Sequence, residues 1–119
     1  MSEHEFRVIF TYAANDDLQK IRRGIFMWSL SQKKAFNVTN KIVVAVNKQL
    51  SYMASGYPLV DNDDIAALGY RRIVVKHNYL VFFLVDESKN TVVVRRILHG
   101  SRDWQSVLLK DAEWLSAKT

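Results

Sequence analysis

The chain has no cysteine and a single proline, Pro58, in 119 residues. The lack of thiols excludes disulfides, thiolate metal sites and a cysteine nucleophile. It suits a reducing compartment, and a cytoplasmic protein is expected. No run of 18 or more apolar residues occurs, so no helix should span a membrane and no membrane partner is expected. The polar, acidic opening MSEHEFR lacks the apolar stretch of a signal peptide. Glycine is scarce, four in all, and no glycine-rich loop is present to cradle a phosphate. Neither an HExxH pair nor a His/Asp cluster at metal-ligand spacing is found, so neither a metal nor another cofactor is expected.

What is present is apolar bulk and positive charge. Hydrophobic residues make up 49% of the chain and aromatics 12%, enough to bury the core of one domain and too much for a disordered segment. The formal charge is +5. Residues 1–69 hold eight Lys/Arg against seven Asp/Glu, whereas residues 70–104 hold seven against three. Counted this way, the excess falls in the second segment. A local basic field attracts nucleic acid or an acidic protein segment, unless it is merely a solvated face.

Hydrophobic spacing sets the element order. Residues 5–11, EFRVIFT, read as a strand, with Thr11 placed to cap a helix. Ala14, Leu18, Ile21, Ile25 and Trp28 form one helical stripe. Phe36, Val43, Val46, Leu50 and Met53 form a second, widened by Ala35, Val38, Ile42 and Ala45. A single helix over residues 13–54 would be about 63 Å long, too long for a domain whose radius of gyration should be roughly 13–14 Å. A break is therefore expected at residues 29–33, SLSQK, giving a helical hairpin. Residues 55–69 are turn-rich. Strands follow at 70–77, 79–85 and 91–98, with links too short for crossovers, hence an antiparallel meander. Residues 103–115 close as a short helix begun by Asp103, with Trp104, Val107, Leu108 and Leu115 as its packing residues. Trp104 is expected to be largely buried against the hairpin. The fold class is α+β.

Strand alternation sorts the basic residues by face. Arg71 falls with Ile73 and Val75, and Arg72 with Val74 and Lys76. Arg95 falls with Val93 and Ile97, and Arg96 with Val94 and Leu98. One face should cover the helices. The other should carry an open patch of Arg71 or Arg72, Lys76, Arg95 or Arg96, and Arg102, whose guanidinium forks suit phosphate or carboxylate. His77 and His99 lie at strand ends beside arginines. Either suits general acid–base work on a phosphodiester, although a strand-end histidine is more often structural. Tyr79 can stack on a base or donate a proton, or simply pack. Asp16 and Asp17 read as helix-start charges, and Asp61 to Asp64 as a solvated loop.

Three stretches in this order resemble the RelE/ParE toxin superfamily. RVIFTYAANDDLQKI resembles its opening strand and helix, GYRRIVVKHNYLVFFLVDE its central strand pair, and VVVRRILHGSRDW its last strand with the His-Gly-x-Arg-Asp ending found mostly on the ParE side. The resemblance implies a single toxin domain over residues 1–119, with a strand, a helical hairpin, a three-stranded antiparallel meander and a short C-terminal helix. It also implies a cognate antitoxin with an acidic segment as partner. The target would be DNA gyrase, inhibited without catalysis on the ParE side, or the ribosome with its mRNA, cut without metal on the RelE side.

The RelE pattern is incomplete here. Where many RelE-like members have an arginine after the aromatic residue of the third strand and a tyrosine a few residues later, this chain has Leu80 and Phe83. If it is an endoribonuclease, the residues to carry cleavage are His99, Arg102, Arg95, Arg96 and Tyr79. For target or antitoxin binding they are Arg71, Arg72, Lys76, His77, Arg95, Arg96 and Arg102, with Arg22, Arg23 and Met27 on the hairpin. The departures favour gyrase inhibition. An mRNA endonuclease is the alternative, and a non-toxic antitoxin- or DNA-binding member is a third.

Overall fold

A computed structural model describes residues 5–76 and 78–118, with side chains as far as Glu113. Strand β1 (Arg7–Phe10) leads into helices α1 (Tyr12–Ser29) and α2 (Gln32–Met53). A short helix α3 (Asp63–Ala66) precedes strands β2 (Arg71–Val75), β3 (Tyr79–Asp86) and β4 (Thr91–His99), and helix α4 (Trp104–Lys118) follows. The architecture is α+β in the expected order. The sheet runs β1-β4-β3-β2: β2, β3 and β4 form the antiparallel meander, and β1 adds to β4 in parallel. No helix among the described residues is long and apolar enough to cross a membrane.

Local chemistry places the helix ends. The Thr11 hydroxyl oxygen accepts from the Ala14 N–H at 3.1 Å and donates to the Arg95 carbonyl at 3.1 Å. One side chain thus starts α1 and ties it to β4. At the hairpin turn Leu30 takes a left-handed conformation, φ 55°, and its N–H bonds to the Phe26 carbonyl at 2.7 Å. Ser31 then accepts from the Lys34 N–H at 3.0 Å and opens α2. The break lies inside the expected SLSQK stretch.

The hairpin covers one face of the sheet. Ala14, Leu18, Ile42, Val46 and Leu50 pack on Ile73, Val75, Val81, Phe83, Val92, Val94 and Ile97. Each large side chain so enclosed contributes about 1.5–3 kcal/mol by leaving water. Ile25 and Ala35 are also buried but lie outside this sheet-facing core, so the distal part of the hairpin packs mainly on itself. This corrects the helical stripes. Trp28 is 69% exposed, Phe36 55% and Met53 65%, because no second layer faces them.

The opposite face is not open, contrary to the sequence reading. A second core of Val60, Ile65, Tyr70, Phe82, Leu98 and Leu108 lies under α3 and α4. Trp104 is half-buried there and stacks on Phe82, with centroids 5.2 Å apart and planes at 26°. It therefore anchors α4 to the sheet face away from the hairpin, not against the hairpin. Val107 and Leu108 pack as expected, while Leu115 lies outside the described side chains.

A register shift in β4 changes the sorting of its arginines. Phe82 pairs with Arg96 and Phe83 with Val94, which leaves Arg95 as an extra residue. Val94 and Ile97 both face the hairpin core, so Arg95 and Arg96 between them both turn to the α4 side. Lys76 is also displaced: it sits in the β2–β3 turn at φ 50° and is not in line with Arg72. Gly100 lies close to the same turn. Its N–H donates to the Asn78 carbonyl at 2.6 Å, and a Cβ there would meet that oxygen at 3.2 Å.

The second core predicts a ranking in urea unfolding. Phe82→Ala should cost about 3–5 kcal/mol as a fully buried aromatic, and half-exposed Trp104→Ala should cost less. The reverse order would show that Trp104, not the sheet, organises this face.

Candidate functional site

The basic residues of the sheet divide into two that are held, Arg96 and Arg71, and several without a carboxylate partner among the described residues. Arg96 donates through Nε to Asp17 Oδ2 at 2.7 Å and through Nη2 to Asp17 Oδ1 at 2.9 Å. Its Nη1 donates to both oxygens of Asp111 at 3.0 and 3.2 Å. Asp17 Oδ2 also accepts the Ile97 N–H at 2.9 Å. This last bond has a topological cause. β1 pairs with β4 only as far as Phe10 opposite Val94, so the edge of β4 beyond it needs an acceptor, and α1 supplies one. The Arg96 side chain is 15% exposed and that of Asp17 only 5%. Hydrogen bonding to Asp17, against the opposing effect of burial, raises the Arg96 guanidinium further above its already high range. Arg96 therefore joins α1, the sheet and α4 and is not free to meet a ligand. Asp17, read from sequence as a helix-start charge, is a buried structural acid.

Arg71 is likewise engaged, donating through Nη1 to the Tyr57 carbonyl on the hairpin side. By contrast Arg72, Arg95 and Arg102 have no carboxylate partner among the described residues. Arg72 lies opposite Phe82 with its guanidinium 5.6 Å from the Trp104 ring centroid. Arg95 sits near enough to Tyr70 to lower its phenol, although burial dominates and raises it. Arg102 is exposed in the turn after β4, its backbone N–H donating to the His99 carbonyl at 2.9 Å.

His99 and Tyr79 are brought together as cross-strand partners. Their rings meet edge to face, with centroids 5.5 Å apart and planes at 87°. His99 Nδ1 accepts the Ser101 N–H at 3.1 Å and lies 2.8 Å from the Ser101 hydroxyl. A nitrogen that accepts from a backbone N–H carries no proton, so the neutral ring holds its proton at Nε2. Burial raises the Tyr79 phenol, which keeps it protonated near neutrality. Asp103 acts as the expected helix start: it accepts from the Ser106 hydroxyl at 2.7 Å and the Ser106 N–H at 3.4 Å, and these bonds lower its carboxyl. His77 lies outside the described residues. No group of three His, Asp or Glu able to hold a metal occurs among the described residues.

The hairpin holds what the charge count missed. Residues 18–60 contain seven Lys/Arg and no Asp or Glu. Counting over residues 1–69 hid this, because the acids at both ends cancelled it. Arg22 donates through Nε to Thr39 Oγ1 at 3.2 Å and lies 5.2 Å from the Phe36 ring centroid. Arg23 is exposed, and Met27 is 69% exposed.

Residues 8–104 match the family described as the ParE toxin of the type II toxin–antitoxin system parDE. Two solved structures are similar in fold. A chain of the chromosomal ParDE toxin–antitoxin system from P. aeruginosa is 21% identical with a TM-score of 0.64, covering 81% of this chain and 97% of its own. A chain of the RelBE2 toxin–antitoxin complex from Mycobacterium tuberculosis is 19% identical with a TM-score of 0.58, covering 80% of this chain and 91% of its own. No curated protein matches significantly.

Removing Asp17 would leave a buried guanidinium half-paired and the Ile97 N–H without its acceptor. Asp17→Ala should cost about 3–5 kcal/mol in chemical denaturation, and Asp111→Ala less because that carboxylate is more exposed. A loss below about 1 kcal/mol for Asp17→Ala would mean that the clamp is not a structural centre.

Proposed function

The chain belongs to the ParE toxin family of type II toxin–antitoxin systems, and from that premise we propose that it inhibits DNA gyrase without catalysis and is neutralised by an antitoxin carrying an acidic segment. The observation that carries this reading is the condition of the sheet. A metal-free ribonuclease must move protons at a ribose hydroxyl and a leaving oxygen and stabilise charge on phosphorus. Phe83, where RelE-like members place a tyrosine, is fully buried under the hairpin. Leu80, where they place an arginine, packs in the second core. Arg96 is enclosed by two carboxylates. The cations expected to converge on one open catalytic face are therefore divided between structural and surface roles.

A second reading has one observation in its favour. His99 presents its Nε2–H outward beside a protonated Tyr79, with Arg102 three residues on. Only in its imidazolium form is this ring an acid, with a neighbouring cation, for phosphodiester cleavage. The two readings separate cleanly. Under gyrase inhibition, purified protein should block supercoiling and accumulate cleaved DNA, His99→Ala should behave like the parent, and programmed ribosomes should show no A-site cuts. Codon-boundary cuts that fall about 10²–10⁴-fold in rate with His99→Ala would replace inhibition by cleavage.

The antitoxin should lay its acidic segment across the free cations on the α4 side. Reversing Arg72 and Arg95 together should weaken that complex by several kcal/mol if the pairs are desolvated. Arg96 is excluded from the test, because changing it would break the fold. Unchanged affinity in calorimetry of the double variant would move the antitoxin away from this surface.

A further inference from the structure

Near its turn the hairpin carries an open cleft of about 590 Å³ between α1 and α2. Phe26, Ala35 and Phe36 give it apolar lining, and Arg22, Arg23 and Lys33 give it charge. Elsewhere on the hairpin, outside the cleft lining, Trp28 stands 69% exposed, with the Lys34 ammonium 4.4 Å from its ring centroid, and Leu30 is 78% exposed. No acid lies between Asp17 and Asp61 to neutralise these cations. Apolar surface that is both exposed and ringed by one sign of charge marks an interaction site more than a solvated face.

We propose that this cleft docks an acidic protein segment with an apolar or aromatic anchor, presented by the target protein. The target assignment rests on the inhibitor reading; the chemistry of the cleft does not. Three features favour a protein segment. The cleft lies between two helices, whereas a lipid surface would meet the convex tip. Its cations flank aromatic side chains instead of forming the continuous row that follows a phosphate backbone. Gln19 and Gln32 also line it, and an amide side chain both donates and accepts, which matches peptide groups better than phosphates that only accept. The cleft is separate from the α4-side cations, so an antitoxin on the sheet and a target segment at the hairpin need not compete for the same arginines.

The test uses the full chain with a short peptide of alternating Glu/Asp and Leu/Phe, a single-stranded oligonucleotide of equal charge, and phosphatidylglycerol vesicles. Circular dichroism checks that each variant folds. The peptide should bind, Arg23→Glu with Lys33→Glu should weaken it roughly tenfold or more, and Lys48→Glu, an exposed cation on α2 outside the cleft, should change it little. The cleft variant should also lose gyrase inhibition while still binding antitoxin. No peptide binding, equal affinity in the cleft variant, or tighter binding of the oligonucleotide or vesicles through the same residues would each overturn the proposal. If wild-type protein leaves gyrase unaffected but binds the peptide through Arg23 and Lys33, the inhibitor reading fails and the docking cleft stands. If gyrase is inhibited equally by wild type and the cleft variant, the cleft is not the target contact.

Discussion

Arg96 is the point on which the layers depend. The sheet has helices on both faces, and its two cores are separated by the sheet itself, so side-chain packing alone does not connect them. Arg96 makes that connection by donating to one carboxylate from α1 and one from α4. Asp17 simultaneously satisfies the N–H of Ile97 where β1 has run out. A polar group placed there by a shorter β1 thus fixes where α1 crosses β4 and where α4 lies. A network of this kind is costly if half-made, so its members act as a unit.

The same clamp decides which cations are left for function. The bulge in β4 turns Arg95 and Arg96 to one side, and only Arg96 meets the two acids. Arg95 remains with Arg72 on a surface bordered by Trp104, while Arg71 on the other face holds the loop at Tyr57. Neighbouring arginines in one short motif therefore have different physical roles. A functional reading that treats them as interchangeable would disturb the fold and the site together.

Much of the fold was legible because it rests on local signals. Thr11 and Ser31 are helix caps, the SLSQK break follows from chain length, and the short links leave only a meander. What was not legible depends on which element faces which. The stripe through Trp28, Phe36 and Met53 has the right helical spacing, but spacing does not reveal that the distal hairpin lacks an opposing layer. Asp17 lies among the inward residues Ala14, Leu18 and Ile21, and an acid on an apolar stripe was a usable sign of a buried partner. The β4 bulge had no such sign, and one extra residue in a strand reverses every face assignment before it. For the site, His99 and Tyr79 were each singled out by residue type, but their pairing across β3 and β4 was not, and the hairpin's acid-free run was hidden by the acids at both ends of residues 1–69.

That run has an energetic consequence. Seven cations on two adjacent helices repel one another, and among the described residues only Lys20 has a carboxylate partner there, Asp16 at 3.1 Å. Arg22 leans on Phe36 and bonds to Thr39, and Lys34 covers Trp28, so aromatic faces and a hydroxyl carry out locally what carboxylates would do elsewhere. These contacts are weaker than charge-assisted pairs and leave the net field intact. Asp17 of α1 and Asp111 of α4 are committed to Arg96 and do not offset the distal hairpin cations. The free protein is thus held together from inside by one enclosed arginine while its helical arm stays electrostatically unsatisfied. An anionic partner would relieve that repulsion on binding and, by binding the folded chain and not the unfolded one, would stabilise the fold by an amount that rises with its concentration relative to its Kd.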